Sequence, residues 1–532
     1  MMARVFGWMM MAALCGCGRT DYAHEMAKQG ILLLGNGSDP KALDPQLVAA
    51  VGDANIMRAL FEGLVAHDPV DDNRVEPGVA ERWESNADHT EWTFHLRDTA
   101  RWSNGDPVTA QDFVYSYQRM LEPNLASPYA SMLYFLKGGQ DYNEGKLTDF
   151  TQVGVKAPDD HTLVCTLELP AAYFPHVVKH TSWLPVHRGT IEKFGTMTDR
   201  FTRWQRPGNH VSNGPFRLKS WRLYHSVVTE KNPLYWDAEK VTLREVRFFP
   251  YDTYTEARAF LGNRLHYTYT LPAELIDRGE HPSWLRMESY YGSYYYRYNT
   301  DRPPFNNPKV RHALALAIDR KAIVESVTRA NQEPAYGFTP PAQGGYVPPR
   351  VLTFDPERAR ALLAEAGYPG GEGFPGFALL MNTSEAHRAI AEAMQDMWRR
   401  HLGITTVRIE NREWGTFQSN VIKQDYDVAR AGWIADYLDP LTFLDLWRKD
   451  NSNNNTGWSN PNYDRLLAEA AVQPTTEARF AKLREAESIL LAELPVLPLY
   501  WYTRTYWLRP EVKNWNPLLL DHHNYKYLRL EP

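Results

Sequence analysis

The chain has 532 residues, 43% of them hydrophobic and 23% charged, a balance that excludes wholesale disorder. Lys and Arg number 58 against 64 Asp and Glu, and the resulting net charge of −6 argues against nucleic acid as a partner. At about 150 residues per domain the length calls for several lobes, and a mean hydropathy of −0.50 excludes a polytopic membrane protein.

The amino end reads as an address. Arg4 precedes an apolar run from Val5 to Leu14. As a helix that run rises about 15 Å, half a bilayer core, which suits a signal peptide and not a membrane span. Leu14-Cys15-Gly16-Cys17 then places an aliphatic residue and two small ones before a cysteine. This resembles the lipobox of bacterial lipoproteins, with 1–16 as signal peptide and Cys17 as the lipid-bearing residue. An ordinary secretory signal is the plainer alternative. After processing, Cys165 is the one remaining cysteine. It lies in an alternating run, His161 to Leu169, and is expected to be a buried small hydrophobe.

Further along, Trp92, Phe94 and Leu96 alternate with polar residues and predict a half-buried strand. A turn at Ser103-Asn-Gly-Asp precedes a helix start at Thr109-Ala-Gln-Asp112. Asn307-Pro308 opens a second helix, and Asp355-Pro356 a third that ends at Gly367. A fourth spans about Glu385 to Leu402. Strands are expected at 406–410, 426–430 and 496–502. The order of elements is that of an α/β or α+β chain. Gly371-Glu-Gly-Phe-Pro-Gly376 matches a dinucleotide fingerprint in letters only, because it follows a helix end and contains Pro375. Asn451 to Thr456 reads as a solvated loop, and His522-His523 as an exposed tail pair and not a metal site. No metal or other cofactor is expected.

Val79-Ala-Glu-Arg-Trp, Glu91-Trp-Thr-Phe-His-Leu-Arg and Ala100-Arg-Trp-Ser-Asn-Gly-Asp-Pro-Val-Thr-Ala-Gln-Asp-Phe resemble the signature block of the oligopeptide-binding family. These are the family 5 extracytoplasmic solute-binding proteins of ABC importers. Pro304-Phe-Asn-Asn-Pro-Lys-Val-Arg-His-Ala-Leu, Ala335-Tyr-Gly-Phe-Thr-Pro-Pro and Ala429-Arg-Ala-Gly-Trp-Ile-Ala-Asp-Tyr-Leu-Asp-Pro extend the likeness over nearly the whole mature chain, toward its peptide-binding branch. The resemblance implies an α/β, two-lobed, hinged periplasmic-binding-protein fold of class II type with an additional inserted small domain. By motif position, lobe I comprises 18–50, 187–290 and 504–532, the inserted domain 51–186, and lobe III 291–503. It also implies a non-enzymatic, periplasmic, lipid-anchored monomer that takes short peptides and delivers them to the permease and ATPase subunits of an importer.

Peptides of different sequence share a backbone, an ammonium and a carboxylate, so a tolerant binder must bind those. A strand edge supplies main-chain hydrogen bonds. A buried ammonium needs a carboxylate, because an unpaired buried charge costs several kcal/mol (about 3–5). By resemblance, Asp436 meets the ammonium, Gly432 and Ile434 pair with ligand main chain, and Trp433 walls the cleft. Tyr502 and Ser38 match further main-chain contacts, although Pro40, two residues after Ser38, lacks an N–H. Arg430 and His387 match cationic positions for the ligand carboxylate, with Asn382 as a polar neighbour. A family arginine nine residues before Arg430 is replaced by Val421, with Lys423 nearby, so the preferred peptide length stays open. Other ligands to weigh are murein peptides, dipeptides or a chelated metal. A different class, a secreted peptide or cell-wall hydrolase, would have Asp436 and His387 as its one candidate pair.

Overall fold

The computed structural model describes residues 21–48, 50–276, 283–341, 345–449 and 451–532. The expected signal peptide and Cys17 lie outside the described residues. Helix α1 (Tyr22–Lys28) is capped by Asp21, whose carboxylate accepts the His24 N–H. Strand β1 (Ile31–Gly35) follows and is buried throughout, as a parallel strand covered on both faces should be. After α2 (Val51–Leu60) the chain builds a separate sheet from β2 (Ala80–Ser85), β3 (Glu91–Leu96), β4 (Val155–Asp159) and β5 (Thr162–Thr166), in the order β2-β3-β5-β4. Trp92, Phe94 and Leu96 all point into its core. Helix α3 (Ala110–Leu121) begins where the Asp112 carboxylate accepts the Thr109 N–H at 2.8 Å. Cys165 on β5 is fully buried, and burial pushes its thiol up, away from nucleophilic character.

The chain then returns to β1. Strands β6 (Phe216–Arg222), β7 (Ser226–Lys231) and β8 (Glu245–Phe249) complete a sheet of order β1-β8-β7-β6, with β1 parallel to β8. A third, six-stranded sheet follows. Its elements in chain order are β9 (Leu285–Tyr298), α4 (Pro308–Leu316), β10 (Glu333–Pro334), α5 (Pro356–Glu365), β11 (Phe377–Asn382), α6 (Glu385–Leu402), β12 (Val407–Arg412), α7 (Trp414–Ile422), β13 (Val428–Ile434), α8 (Pro461–Ala471), α9 (Thr476–Glu493) and β14 (Val496–Trp507). The strand order is β10-β14-β9-β13-β11-β12.

Two large cores divide the molecule into two bodies. One joins the first two sheets, running from Leu34 and Phe248 to Phe94 and Trp183. The other fills the third sheet and its helices, from Tyr294 and Leu379 to Trp398 and Leu490. Strands β9 and β14 pass between them: Tyr506 sits in the first core, while Val496 and Tyr296 sit in the second. Their pairing runs Leu285–Ser289 with Thr503–Trp507, breaks between Ser289 and Ser293, and resumes with Ser293 opposite Trp501. Such an irregularity bends and twists a strand pair locally.

Two expectations for the loops are corrected. His522 and His523 are 9% and 8% exposed and not a solvated pair. His523 bonds the Asp521 carboxylate at 2.9 Å and lies 4.0 Å from the Trp515 ring, and His522 sits edge-on to His67. The asparagine-rich loop is solvated only in part. The Asn454 amide donates to the carbonyls of Trp447, Arg448 and Trp458, and Thr456 is fully buried. The glycines at 371 and 373 have φ of 82° and 69° in a loop, consistent with turn chemistry and no dinucleotide site.

Candidate functional site

Strand β13 carries the site because only one of its edges is paired along its second half. It pairs antiparallel with β9 over its whole length, Val428 opposite Tyr298 and Ile434 opposite Gly292. On the other side β11 matches it only at Val428 and Ala429. From Arg430 to Ile434 that edge has no strand partner among the described residues. The Ala435 N–H donates to the Tyr291 carbonyl at 2.9 Å. Antiparallel alternation then turns the main-chain groups of Ala431 and Trp433 toward β9, and those of Arg430, Gly432 and Ile434 toward the open edge.

Gly432 is glycine for a steric reason. A Cβ there would lie 2.5 Å from the Tyr502 hydroxyl and 3.3 Å from Arg430 Nη2. Gly292, opposite Ile434, is also confined, because a Cβ would meet Ile434 Cδ1 at 2.5 Å. Trp433 projects to the other face, half-buried against the second core. Its indole N–H is buried without an acceptor, so the ring contributes packing.

Just past the strand, Asp436 is held by its own N–H, which donates to Thr442 Oγ1 at 3.2 Å. Its carboxylate is 14% exposed and has no cation or hydrogen-bond donor in bonding range among the described residues. His180 Nε2 lies 3.9 Å away on the other body. Burial pushes the Asp436 carboxyl up to about 7 and the His180 imidazole down to about 3. The Ser182 N–H donates to His180 Nδ1 at 3.3 Å, which leaves the neutral ring's proton on Nε2, facing Asp436. Tyr129 packs on His180 with centroids 5.3 Å apart, and the Asp436 charge, then burial, pushes its hydroxyl up. Asp439, three residues on, is spent: Arg479 grips both its oxygens at 2.7 and 2.8 Å. Arg479 also lies 4.4 Å over the Tyr173 ring, and Tyr173 stacks on Tyr437.

At the other end of the open edge, Arg430 donates to Tyr502 Oη at 2.9 Å and to Asn382 Oδ1 at 3.4 Å, and lies 4.9 Å over the Tyr294 ring. No carboxylate pairs with it among the described residues. His387 touches the Tyr294 hydroxyl at 3.2 Å. Burial and the Arg430 charge push it down to about 3, and its place in the first turn of α6 disfavours a positive charge further. Val421 is 4% exposed inside a small apolar cluster with Phe417 and Tyr426, while Lys423 is exposed.

Arg430, Gly432, Tyr502, Asn382 and His387 thus come together, Ile434 and Asp436 continue the same edge, and Trp433 backs it. Ser38 does not join them. It lies exposed in the loop after β1, its N–H on the Asn36 carbonyl at 2.7 Å, with no contact to Asp436, Arg430 or Tyr502. Asp436 and His387 make no contact either, so they form no catalytic pair. Sequence reasoning missed Tyr294, Tyr129 and His180. The run Tyr290-Tyr-Gly-Ser-Tyr-Tyr-Tyr was a signal for the first. Nothing local marked the other two, which reach the site from turns of the other body.

Residues 74–455 match the family model described as bacterial extracellular solute-binding proteins, family 5 Middle. The periplasmic oligopeptide-binding protein OppA of Salmonella typhimurium is 39% identical over 500 residues, covering 92% of this chain and 90% of that protein. Haemophilus influenzae OppA in complex with RPPGFSPFR superposes with a TM-score of 0.83 at 33% identity, covering 94% of this chain and 99% of that one. The Escherichia coli murein tripeptide binding protein MppA gives 0.84 at 34% identity, covering 94% and 98%. Two bodies with separate cores and an α/β make-up are the arrangement expected of that group. An open strand edge between a lone carboxylate and a lone guanidinium, with no catalytic pair, agrees with the same assignment, and the chain belongs to the family 5 bacterial extracellular solute-binding proteins.

Proposed function

We propose that this protein captures short peptides in extended form between its two lobes and delivers them to an ABC-type importer. The observation that carries this reading is the open edge of β13 between two unlike, unpaired charges. A peptide laid antiparallel along Arg430–Ile434 pairs its amides with Gly432 and Ile434, its ammonium with Asp436 and its carboxylate with Arg430. Tyr502, Asn382 and His387 complete the carboxylate end, and Trp433 stiffens the edge from behind. Charged hydrogen bonds contribute roughly 1.5–3 kcal/mol each, so the two ends supply much of the affinity without reading side chains. The similarity to the Salmonella oligopeptide-binding protein and to the peptide complex of Haemophilus OppA supports peptides as the ligand class. Murein peptides are a second reading, favoured by the similarity to MppA.

The lobes are drawn as 18–50, 187–290 and 504–532 for the first, 51–186 for its inserted domain, and 291–503 for the other. Lipid on Cys17 would hold a monomer at a membrane surface within reach of the permease and ATPase subunits. Ser38 remains a candidate main-chain contact if its loop approaches the ligand's amino end.

Calorimetry with a tripeptide tests the reading. Asp436→Asn is expected to weaken binding at least tenfold, and N-acetylation of the peptide to do the same to the unaltered protein. Equal affinities in both comparisons would defeat the ammonium role.

A further inference from the structure

Strands β9 and β14 join the two bodies, and their ladder breaks at one wide step. Ser289 pairs with Thr503 and Ser293 with Trp501, so Tyr290, Tyr291 and Gly292 on β9 face Tyr502 alone on β14. Extra residues on one strand bend the pair and sharpen its twist. The two residues after Tyr502 divide between the bodies. The Thr503 hydroxyl donates to the Ala330 carbonyl at 2.6 Å, in the segment that leads into β10 of the six-stranded sheet. The buried Arg504 guanidinium donates to Asp521 at 2.7 Å, to the Tyr267 hydroxyl at 2.8 Å and to the Tyr269 carbonyl at 3.0 Å. Tyr267 belongs to the first core. Tyr502 therefore stands where β14 passes from one body to the other.

Tyr502 is also the residue of this bend that reaches the ligand edge. Its ring lies between two glycines. A Cβ on Gly292 would be 3.0 Å from Cδ2, and one on Gly432 would be 2.5 Å from the hydroxyl and 3.4 Å from Cε2. Tyr294 and Tyr500 meet the ring edge-on at 6.0 and 5.6 Å. A ring so closely packed cannot turn without moving the backbone beside it. Its hydroxyl accepts Arg430 Nη2 at 2.9 Å, and its own proton has no acceptor in range among the described residues. Arg430 Nε is likewise buried without an acceptor. A carboxylate set between the two takes charge-assisted bonds from both, one from β13 and one from the bend.

We infer that Tyr502 is a positioning residue that couples the ligand's carboxylate to the bend between the bodies. The carboxylate, bridging Arg430 and Tyr502, fixes the ring and with it one bent form of the β9–β14 pair. A peptide whose carboxylate is blocked is held at its amino end yet does not draw the bodies together. The inference rests on the placing of the ligand carboxylate at Arg430.

Small-angle scattering and calorimetry on the full chain test it with Ala-Ala-Ala and its C-terminal amide. At saturation the free acid is expected to lower the radius of gyration of the unaltered protein, and the amide to leave it equal to that of the empty protein. Tyr502→Phe keeps the ring and loses the hydroxyl, so the two peptides should give that variant the same radius. A packing role alone would lower its melting temperature and leave the difference between acid and amide in place. An unchanged radius with the free acid overturns the inference without any variant, and so does an amide that compacts the protein as far as the acid. A Tyr502→Phe protein that the acid still compacts more than the amide overturns it too. Affinity keeps the two failures apart. Amidation should weaken binding at least tenfold, as the loss of a charged hydrogen bond requires, and equal affinities refute the carboxylate site at Arg430 itself.

Discussion

Asp436 is a carboxylate kept short of partners, and its protonation is where that shows. In the empty protein burial pushes it up to about 7, whereas a ligand ammonium beside it favours the ionised form. Binding therefore releases a proton. Affinity for a free-amine peptide should be full above about pH 7 and fall as the pH drops toward 4, by up to about tenfold per pH unit. His180 and His387, both pushed down to about 3, stay neutral through that window. The folding term has the opposite sign. Folded Asp436 holds its proton more tightly than the unfolded chain does, so its contribution to stability is full below about pH 4 and lost as pH rises through about 7. Calorimetry at pH 7.5 and 5.0 checks the first point. The affinity ratio should exceed about tenfold for the unaltered protein and collapse toward one for Asp436→Asn. Gly432 supplies a second test at this scale. In a strand Ala is favoured over Gly by roughly 0.5–1 kcal/mol, yet its Cβ would strike the Tyr502 hydroxyl. Gly432→Ala is therefore expected to break the Arg430–Tyr502 bond and weaken peptide binding about tenfold, since one charge-assisted bond is worth about 1.5 kcal/mol or more. Adding Tyr502→Phe should relieve the clash and restore thermal stability but not the full affinity. A Gly432→Ala protein with unchanged affinity would mean that the close approach is incidental.

At the scale of elements, helices were the most legible part of the sequence. The Asn307-Pro308 and Asp355-Pro356 starts both hold, because a capping side chain and a proline act on their own neighbours. Helix α6 spans the expected Glu385–Leu402, with Gly403 in the left-handed conformation at its end. Strand edges were less legible. Residues 426–430 looked like a whole strand, yet the strand runs on through Trp433 to Ile434 because β9 lies beside it. That pairing partner is more than a hundred residues away in sequence, and no local pattern encodes it. Likewise the resemblance could place a histidine at 387 but not its charge, which is set by burial and by Arg430. His522 and His523 looked exposed because they lie near the chain's end. Only the packing of that segment against Trp515 and His67 removes them from water.

For the whole molecule, Tyr437 brings the two cores together close to the ligand edge, against Tyr173 and Phe135. Tyr437, from the second body, is 5% exposed and belongs to the core of the first. It stacks on Tyr173 at 6.0 Å, and Arg479 caps Tyr173 while holding Asp439. Only β9 and β14 are paired strands running between the bodies among the described residues, and their register break between Ser289 and Ser293 is where a hinge would bend. In the proposed hinged trap the Tyr437–Tyr173 contact forms as the bodies close, and neither ring belongs to the proposed ligand edge. Such a contact adds to affinity by slowing release, because it must break before the cleft opens. Tyr173→Ala removes the stack and the cation–π partner, each worth about 0.5–1.5 kcal/mol. Stopped-flow fluorescence should then show peptide release faster by about tenfold, with association changed less than threefold. Small-angle scattering should show the peptide-saturated variant with a larger radius of gyration than the saturated parent. The β13 edge and the second core are untouched in this variant, so a release rate equal to the parent's would place the energy of closure in the ligand contacts alone.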